Sequence, residues 1–415
     1  MRRITRRRAL QDVALAFGAA GLAPALAPAA SVWAATQDIA TGAPRVIPFA
    51  GQHQAGIATP QQAHACFASL DYTGREEADL AALLRDWSQA AGRMTAGFTA
   101  VATSDSQDSP PADSGEALGL LPARLTVTFG LGPALFTAIR SLRPRRPAQL
   151  QPLPPFSTDR LDPLISGGDL AIQACADDPY VAFHAVRMLL ALATGRAQLR
   201  WMLRGFLPSD QVQSGTVRNL MGFKDGTANP TPADPFFDPT VWVQPADAPA
   251  WLRSGSYLVV RRIRMRLGHW DGSDFGEQEQ TFGRLRGNGA PLTGGGEFTP
   301  PDFDARSGGL PVIPLDGHIR RAHSSFNGGA RILRRGYAYS DGVADSARGD
   351  LASGGLDAGL LFLAYMRDPG QFIRIQSSLA ELDHLNEYVV HVGSAIFAVP
   401  PGASQGGFVG ETLLG

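Results

Sequence analysis

The stretch from Asp169 to Pro208 reads DLAIQACADDPYVAFHAVRMLLALATGRAQLRWMLRGFLP and sets the fold. DLAIQACA is a short apolar run of strand type. Pro179 stands where a helix begins, because proline's missing N–H and fixed φ suit a first turn. Pro179 to Thr194 is the strongest helix pattern of this half, and QLRWMLRGFLP closes the unit. The same alternation precedes it. AHACFASLDY reads as a strand, and Glu76 to Ala91 carries Leu80, Leu83, Leu84 and Trp87 at helical spacing. ARLTVTFGLG is a strand with alternating apolar residues, and Pro133 to Leu142 a short helix.

The second half repeats this order loosely. GSYLVVRRIRMRL is a strand, FGEQEQTFGRLRG a helix, and ARILRRGYAYS and GLLFLAYMR strands; Gln371 to Leu382 is a helix and SAIFAVPPG a last strand. Strands interleaved with helices in two similar halves predict a duplicated α+β unit. Residues 206–252 and 287–317 are loop-rich, and long loops inside a compact domain are usually functional or disordered.

Composition narrows the class. With 44% hydrophobic and 18% charged residues in 415, the chain is globular and long enough for two domain-sized cores. Residues 1–35 carry five arginines against Asp12, and the remainder has a net charge of −5. That mildly acidic balance gives no support for nucleic acid or an anionic membrane as partner. Cys66 and Cys175 are too few for a disulfide framework and lie in apolar strand-like runs, which reads as buried free thiols. Paired arginines, an apolar run from about Val13 to Leu26 and an Ala-rich region predict a twin-arginine export signal over 1–35, hence a periplasmic or otherwise exported protein. Pro24 and Pro28 break the run, which disfavours a membrane anchor, and no other segment approaches the length of a span.

The first long loop holds MGFKDGTANP, Met221 to Pro230, with the chain's single lysine, Lys224. Alone it reads as a turn, since Asp-Gly and Asn-Pro are turn dipeptides. Asp225 follows the lysine, so there is no phosphate loop, and the chain has neither a Gly-x-Ser-x-Gly elbow nor a His-Glu-x-x-His helix. The eight histidines do not cluster as zinc ligands, and His184 reads as a packed helix residue. What stands out is LDGHIRRAHSSFNGGARILRRGYAYSDG, in which His318 precedes Arg320, Arg321, Arg334 and Arg335. One imidazole can hold a haem iron axially, and arginines can pair with propionates.

These motifs resemble the dye-decolourising (DyP-type) haem peroxidases, and most the twin-arginine-exported deferrochelatase/peroxidase branch. FAGQHQAGIATPQQ, GFKDGTANP, HIRRAH with ILRRGYAYSDG, and LNEYVVHVGSAIFAVPPG carry the resemblance in order over nearly all of the chain after residue 45. It implies two ferredoxin-like halves of dimeric α/β-barrel type, over 36–205 and 206–415, with antiparallel sheets, helices outside and one haem b in the second half. It implies His318 as iron ligand, Asp225 and Arg334 on the opposite haem face as catalytic pair, and Gly226, Thr227, Ala228 and Phe362 as cofactor contacts. Where the family commonly reads Asn-Pro-Arg after His-Ile-Arg, this chain has His323, Ser324 and Ser325. The missing arginine leaves Arg320, Arg321 or His323 to hold a propionate.

The implied activity is oxidation of bulky or phenolic donors by hydrogen peroxide. Release of iron from haem for iron uptake is the alternative, and haem carriage a third; a homo-oligomer stays open. The acid behind His318 is Asp383 or Glu387, both in ELDHLNEYVV. Strand alternation puts Arg334 on a face with Ile332, Gly336 and Ala338, where a flat porphyrin fits. It puts Arg335 with Leu333, Tyr337 and Tyr339 on a face expected to pack under helices, with Arg335 at its margin. Tyr337 or Tyr339 is a candidate for passing electrons from a surface-bound dye.

Overall fold

The chain's computed structural model describes residues 46–102, 108, 111–208, 216–343 and 355–415. The expected signal over 1–35 lies outside them. In the first half, strands β1 (His64–Tyr72), β2 (Thr126–Leu131), β3 (Leu170–Ala176) and β4 (Ala197–Phe206) enclose helices α1 (Glu77–Thr95) and α2 (Pro179–Leu192) in sequence. Asp178 caps α2, its side chain accepting from the N–H groups of Tyr180 (2.7 Å) and Val181 (3.2 Å), with Pro179 in the first turn. Such a cap stabilises a helix by about 1 kcal/mol. The helix expected over Pro133 to Leu142 is an α-turn, Leu135–Ala138, followed by a 3-10 segment, Arg140–Arg145, that contains Pro144.

The second half has β5 (Ser256–Met265), α3 (Phe275–Phe282), α4 (His318–Ala322), β6 (Leu333–Arg334), β7 (Tyr337–Val343), β8 (Leu356–Met366), α5 (Pro369–Leu382) and β9 (Val389–Val399). Sheet order is β5-β9-β2-β3-β1-β4-β7-β8-β6, and β5 also pairs with β8, so eight strands close a ring. Each half contributes four consecutive antiparallel strands. The halves join where Phe206 pairs with Ala338 and Ala398 with Leu131.

Closure decides which strand faces are buried. Alternate residues from these strands, among them Phe67, Trp201, Leu203, Leu258, Tyr337, Leu363, Tyr365 and Phe397, fill one apolar cluster. Fully burying a side chain of this kind is worth about 1.5–3 kcal/mol. The β6–β7 face carrying Arg335, Tyr337 and Tyr339 points into this interior. Arg335 is therefore central, not marginal: it is 3% exposed and donates to the carbonyls of Thr59 and Ile57 and to Gln62 Oε1. Both tyrosines are fully buried. Helices α1 and α2 pack outside the first half's strands, with Trp87 donating from Nε1 to the Leu189 carbonyl (2.8 Å). Cys66 and Cys175 are free and buried.

Candidate functional site

The loop holding Asp225 is shaped by its own turn chemistry. Asn219 Oδ1 accepts from the N–H groups of Met221 and Phe223, Gly222 adopts φ +85°, and the Asp225 N–H donates to the Val217 carbonyl (2.9 Å). Phe223 anchors the turn by stacking on Phe282 of α3, 4.1 Å between centroids. Gly226 follows at φ +113°, a conformation that disfavours any side chain.

The lone lysine belongs to a latch under this turn. Lys224 Nζ donates to the Thr216 carbonyl (2.8 Å) and lies 3.6 Å from the Glu297 carboxylate. Glu297 also accepts from Thr216 Oγ1 (2.6 Å) and Thr227 Oγ1 (3.2 Å). Burial raises the Glu297 pKa, but hydrogen bonds from Thr216 and Thr227 and the Lys224 charge outweigh it and hold the carboxyl below its ordinary range. The second long loop thus supports the first, and Thr227 faces the latch.

Arg334 approaches from β6. Asn229 clamps its backbone from both sides: Asn229 Nδ2 donates to the Arg334 carbonyl (2.6 Å), and the Arg334 N–H donates to Asn229 Oδ1 (2.8 Å). Arg334 Nη1 then donates to Asp225 Oδ1 at 2.9 Å. Asp225, Gly226, Arg334, Gly336, Ala338 and Leu360 line one cavity of about 220 Å³. The small-residue face read from strand alternation is the face that lines it. Gln61 of the first half and the chain at the end of β4, Phe206, Leu207 and Pro208, reach the same cavity, with Gln61 Nε2 donating to the Gly336 carbonyl (2.7 Å).

His318 opens α4, which packs against α3 and α5. Gly283 allows the close approach, since a Cβ there would meet Ile319 Cγ1 at 2.9 Å. His318 Nδ1 pairs with Asp383 Oδ2 at 2.7 Å, and Asp383 Oδ1 caps the following turn by accepting from the Leu385 N–H (3.0 Å). Of the two acids expected behind the histidine, the partner is Asp383; Glu387 is largely exposed and lies 3.7 Å from His384. Burial pushes the His318 pKa down, but the Asp383 charge and hydrogen bond outweigh this and the net shift is upward. The charges of Arg334 and Asp225 reach His318 as well, the first lowering and the second raising its pKa. The ring keeps 26% of its surface open, and Nε2 has no partner among the described residues.

The other expected contacts divide. Arg320 spends Nη2 on the carbonyls of Phe303 and Ile313 and lies against the Phe303 and Phe326 rings. Arg321 is committed to the Ser378 carbonyl and Glu381 on α5. His323 packs edge-on against Phe303 and accepts from the Ser325 N–H at Nδ1, which leaves its proton on Nε2. Ser324 is buried, whereas Ser325 and Ala228 are exposed. Phe362 lies two residues along β8 from the cavity residue Leu360 and packs on Phe372 of α5, 6.0 Å between centroids.

Residues 54–207 match the family described as Dyp-type peroxidase, N-terminal, and residues 216–404 the one described as Dyp-type peroxidase, C-terminal. The chain belongs to the Dyp-type peroxidase family. It is 42% identical over 380 residues to a dye-decolorizing peroxidase of Thermobifida fusca, covering 87% of this chain and 83% of the relative. It is 38% identical over 378 residues to a deferrochelatase of Escherichia coli strain K12, covering 88% and 87%. The crystal structure of a DyP-type peroxidase from Streptomyces coelicolor superimposes with a TM-score of 0.83 at 41% identity, over 90% of this chain and 98% of that one.

The protein is therefore a haem-dependent peroxidase, and its residues fit the cofactor. The open Nε2 of His318, with Asp383 behind the ring, would suit holding the haem iron. The Gly336 and Ala338 face and the backbone at Gly226 offer the close approach that a porphyrin needs. Asn229 and Glu297 are the supporting residues to add to those expected from sequence.

Proposed function

We propose that this chain is an exported haem b peroxidase in which Asp225 and Arg334 act on hydrogen peroxide while a bulky or phenolic donor supplies electrons. The observation that carries the reading is the Asp225–Arg334 pair, 2.9 Å apart on one cavity, whose charges reach the open His318 ring. Haem, when bound, would supply the redox chemistry that links peroxide to the electron donor. Asp225 Oδ2, with no partner among the described residues, is free to take the proton from one peroxide oxygen and return it to the other. Proton transfer by a placed group is worth about 10²–10⁴-fold. Arg334 sets a fixed positive charge where negative charge develops, and one such donor is worth about 10²–10³-fold. The Asn229 clamp and the Glu297 latch hold both groups before peroxide arrives. Asp383 holds His318 Nδ1–H, so that Nε2 presents its lone pair.

Iron removal from haem is the second reading, and the relative named deferrochelatase favours it. The paired arginines and apolar run of residues 1–35 support export through the twin-arginine route. The test incubates purified protein with haem and a phenolic donor, with and without peroxide, and measures oxidised donor, free iron and intact porphyrin. Peroxide-dependent donor oxidation without metal-free porphyrin supports the peroxidase. Free iron with intact porphyrin, formed without donor oxidation, overturns it in favour of iron release.

A further inference from the structure

The Asn-Pro-Arg arginine that would hold a haem propionate is missing here, and two of its three sequence-based replacements are occupied elsewhere. Arg320 is held by two backbone carbonyls against two phenylalanines and its Nε is sealed from solvent, and Arg321 is tied to α5. A different arginine is placed for the task. Arg284, just beyond α3, is 9% exposed. Only its Nη1 is used, donating to the carbonyls of Gly289 (2.6 Å) and Glu297 (3.0 Å). Its Nε and Nη2 have no hydrogen bond among the described residues, yet neither is sealed from solvent. A buried guanidinium with three of its five N–H donors open and no carboxylate in hydrogen-bond contact is an unfinished anion site, because unsatisfied buried donors are costly.

Its neighbours define what would finish it. The Glu297 residue that takes Nη1 at its carbonyl binds Thr227 through its carboxylate, which sets Arg284 beside the Gly226–Ala228 turn. His323 accepts at Nδ1, which leaves its Nε2–H without a partner among the described residues. The Arg334 charge reaches Arg284, and the Arg284 charge reaches His323. The nearby Glu297 carboxylate is engaged by Thr216, Thr227 and Lys224 and makes no hydrogen bond to the guanidinium, so the open Nε and Nη2 edge fits a carboxylate, which a guanidinium meets in two parallel hydrogen bonds.

We propose that Arg284 holds a haem propionate in place of the missing arginine. This rests on haem being bound through His318, and its test separates the two claims. Holoprotein is reconstituted with haem b or with haem dimethyl ester, which lacks both propionate charges. Haem loss to excess apomyoglobin is then followed for wild type, Arg284→Leu and Arg284→Lys. Loss of a charge-assisted hydrogen bond predicts that Arg284→Leu releases haem b about tenfold faster or more. It should release the dimethyl ester within twofold of wild type, and Arg284→Lys should recover part of the haem b retention. Equal acceleration for both haems would show that Arg284 only braces the Glu297 loop, and unchanged release of both would show no contact; either result overturns the assignment. Failure of wild type to take up either haem would instead overturn ligation at His318.

Discussion

Replacing Asn229 with alanine separates the placing of Arg334 from its charge. The change deletes two hydrogen bonds, Asn229 Nδ2 to the Arg334 carbonyl and the Arg334 N–H to Asn229 Oδ1, at 2.6 and 2.8 Å. Each is worth about 0.5–1.5 kcal/mol net, so the pinned backbone loses roughly 1–3 kcal/mol. The surviving Asp225 contact cannot replace the clamp. Its side chains are 26% and 30% exposed, and screened pairs of that kind are worth about 0–1 kcal/mol. Arg334 should then spend part of its time displaced. The expected result is a roughly 5- to 30-fold smaller second-order rate constant for the peroxide-triggered Soret change, which converts at about 1.4 kcal/mol per tenfold. The resting spectrum and haem content should match wild type, because His318 is untouched. In the double variant Asn229→Ala/Arg334→Leu the losses should not add, since the first acts only through the second. A peroxide rate within twofold of wild type, alongside 1–3 kcal/mol of lost stability, would refute a positioning role.

Two further outcomes follow from single residues. Asp383 raises the His318 pKa above 6.5 in the haem-free protein. The stability from that shift is fully present below pH 6.5 and fades as pH rises through the raised value. Asp383→Asn should therefore lower the urea midpoint of the haem-free protein most at pH 5.5, with the two curves converging on the alkaline side; a constant gap across pH would contradict the pairing. Arg335→Leu should cost roughly 1–3 kcal/mol of stability by stranding Gln62 Oε1 and the Thr59 carbonyl inside the barrel, and change the peroxide rate less than threefold. A peroxide rate lowered as far as in Arg334→Leu, with stability intact, would reverse the two strand faces.

Strand periodicity made the Arg334 face legible, because the alternation along ARILRRGYAYS fixes which residues share a side. It could not say which side lies inside. That depends on β5 pairing with β8 and closing the barrel, a contact between segments about a hundred residues apart, so Arg335 was expected at a margin and lies at the centre. Asp225 and His318 stand in motifs whose order is readable. The Glu297 support is not, since it meets Thr227 across 70 residues, and for the acid that meets His318 across 65 residues only the two candidates were readable. Asp383 and Glu387 are equivalent as acids near a helix end, and only the turn capped by Asp383 aims one of them at the imidazole. Asn229 looked like a turn former in Asn-Pro, and its clamp depends on a strand 105 residues away.

The central claim is that Asp225 and Arg334 drive the peroxide step while His318 holds the haem. Stopped-flow mixing of peroxide with haem-loaded wild type, Asp225→Ala and Arg334→Leu tests it most directly, with haem content measured on the same samples. The account predicts full haem content in both variants and a peroxide rate at least about tenfold lower in each, or about 1.4 kcal/mol of lost transition-state stabilisation. Wild-type rates in both fully loaded variants would contradict it.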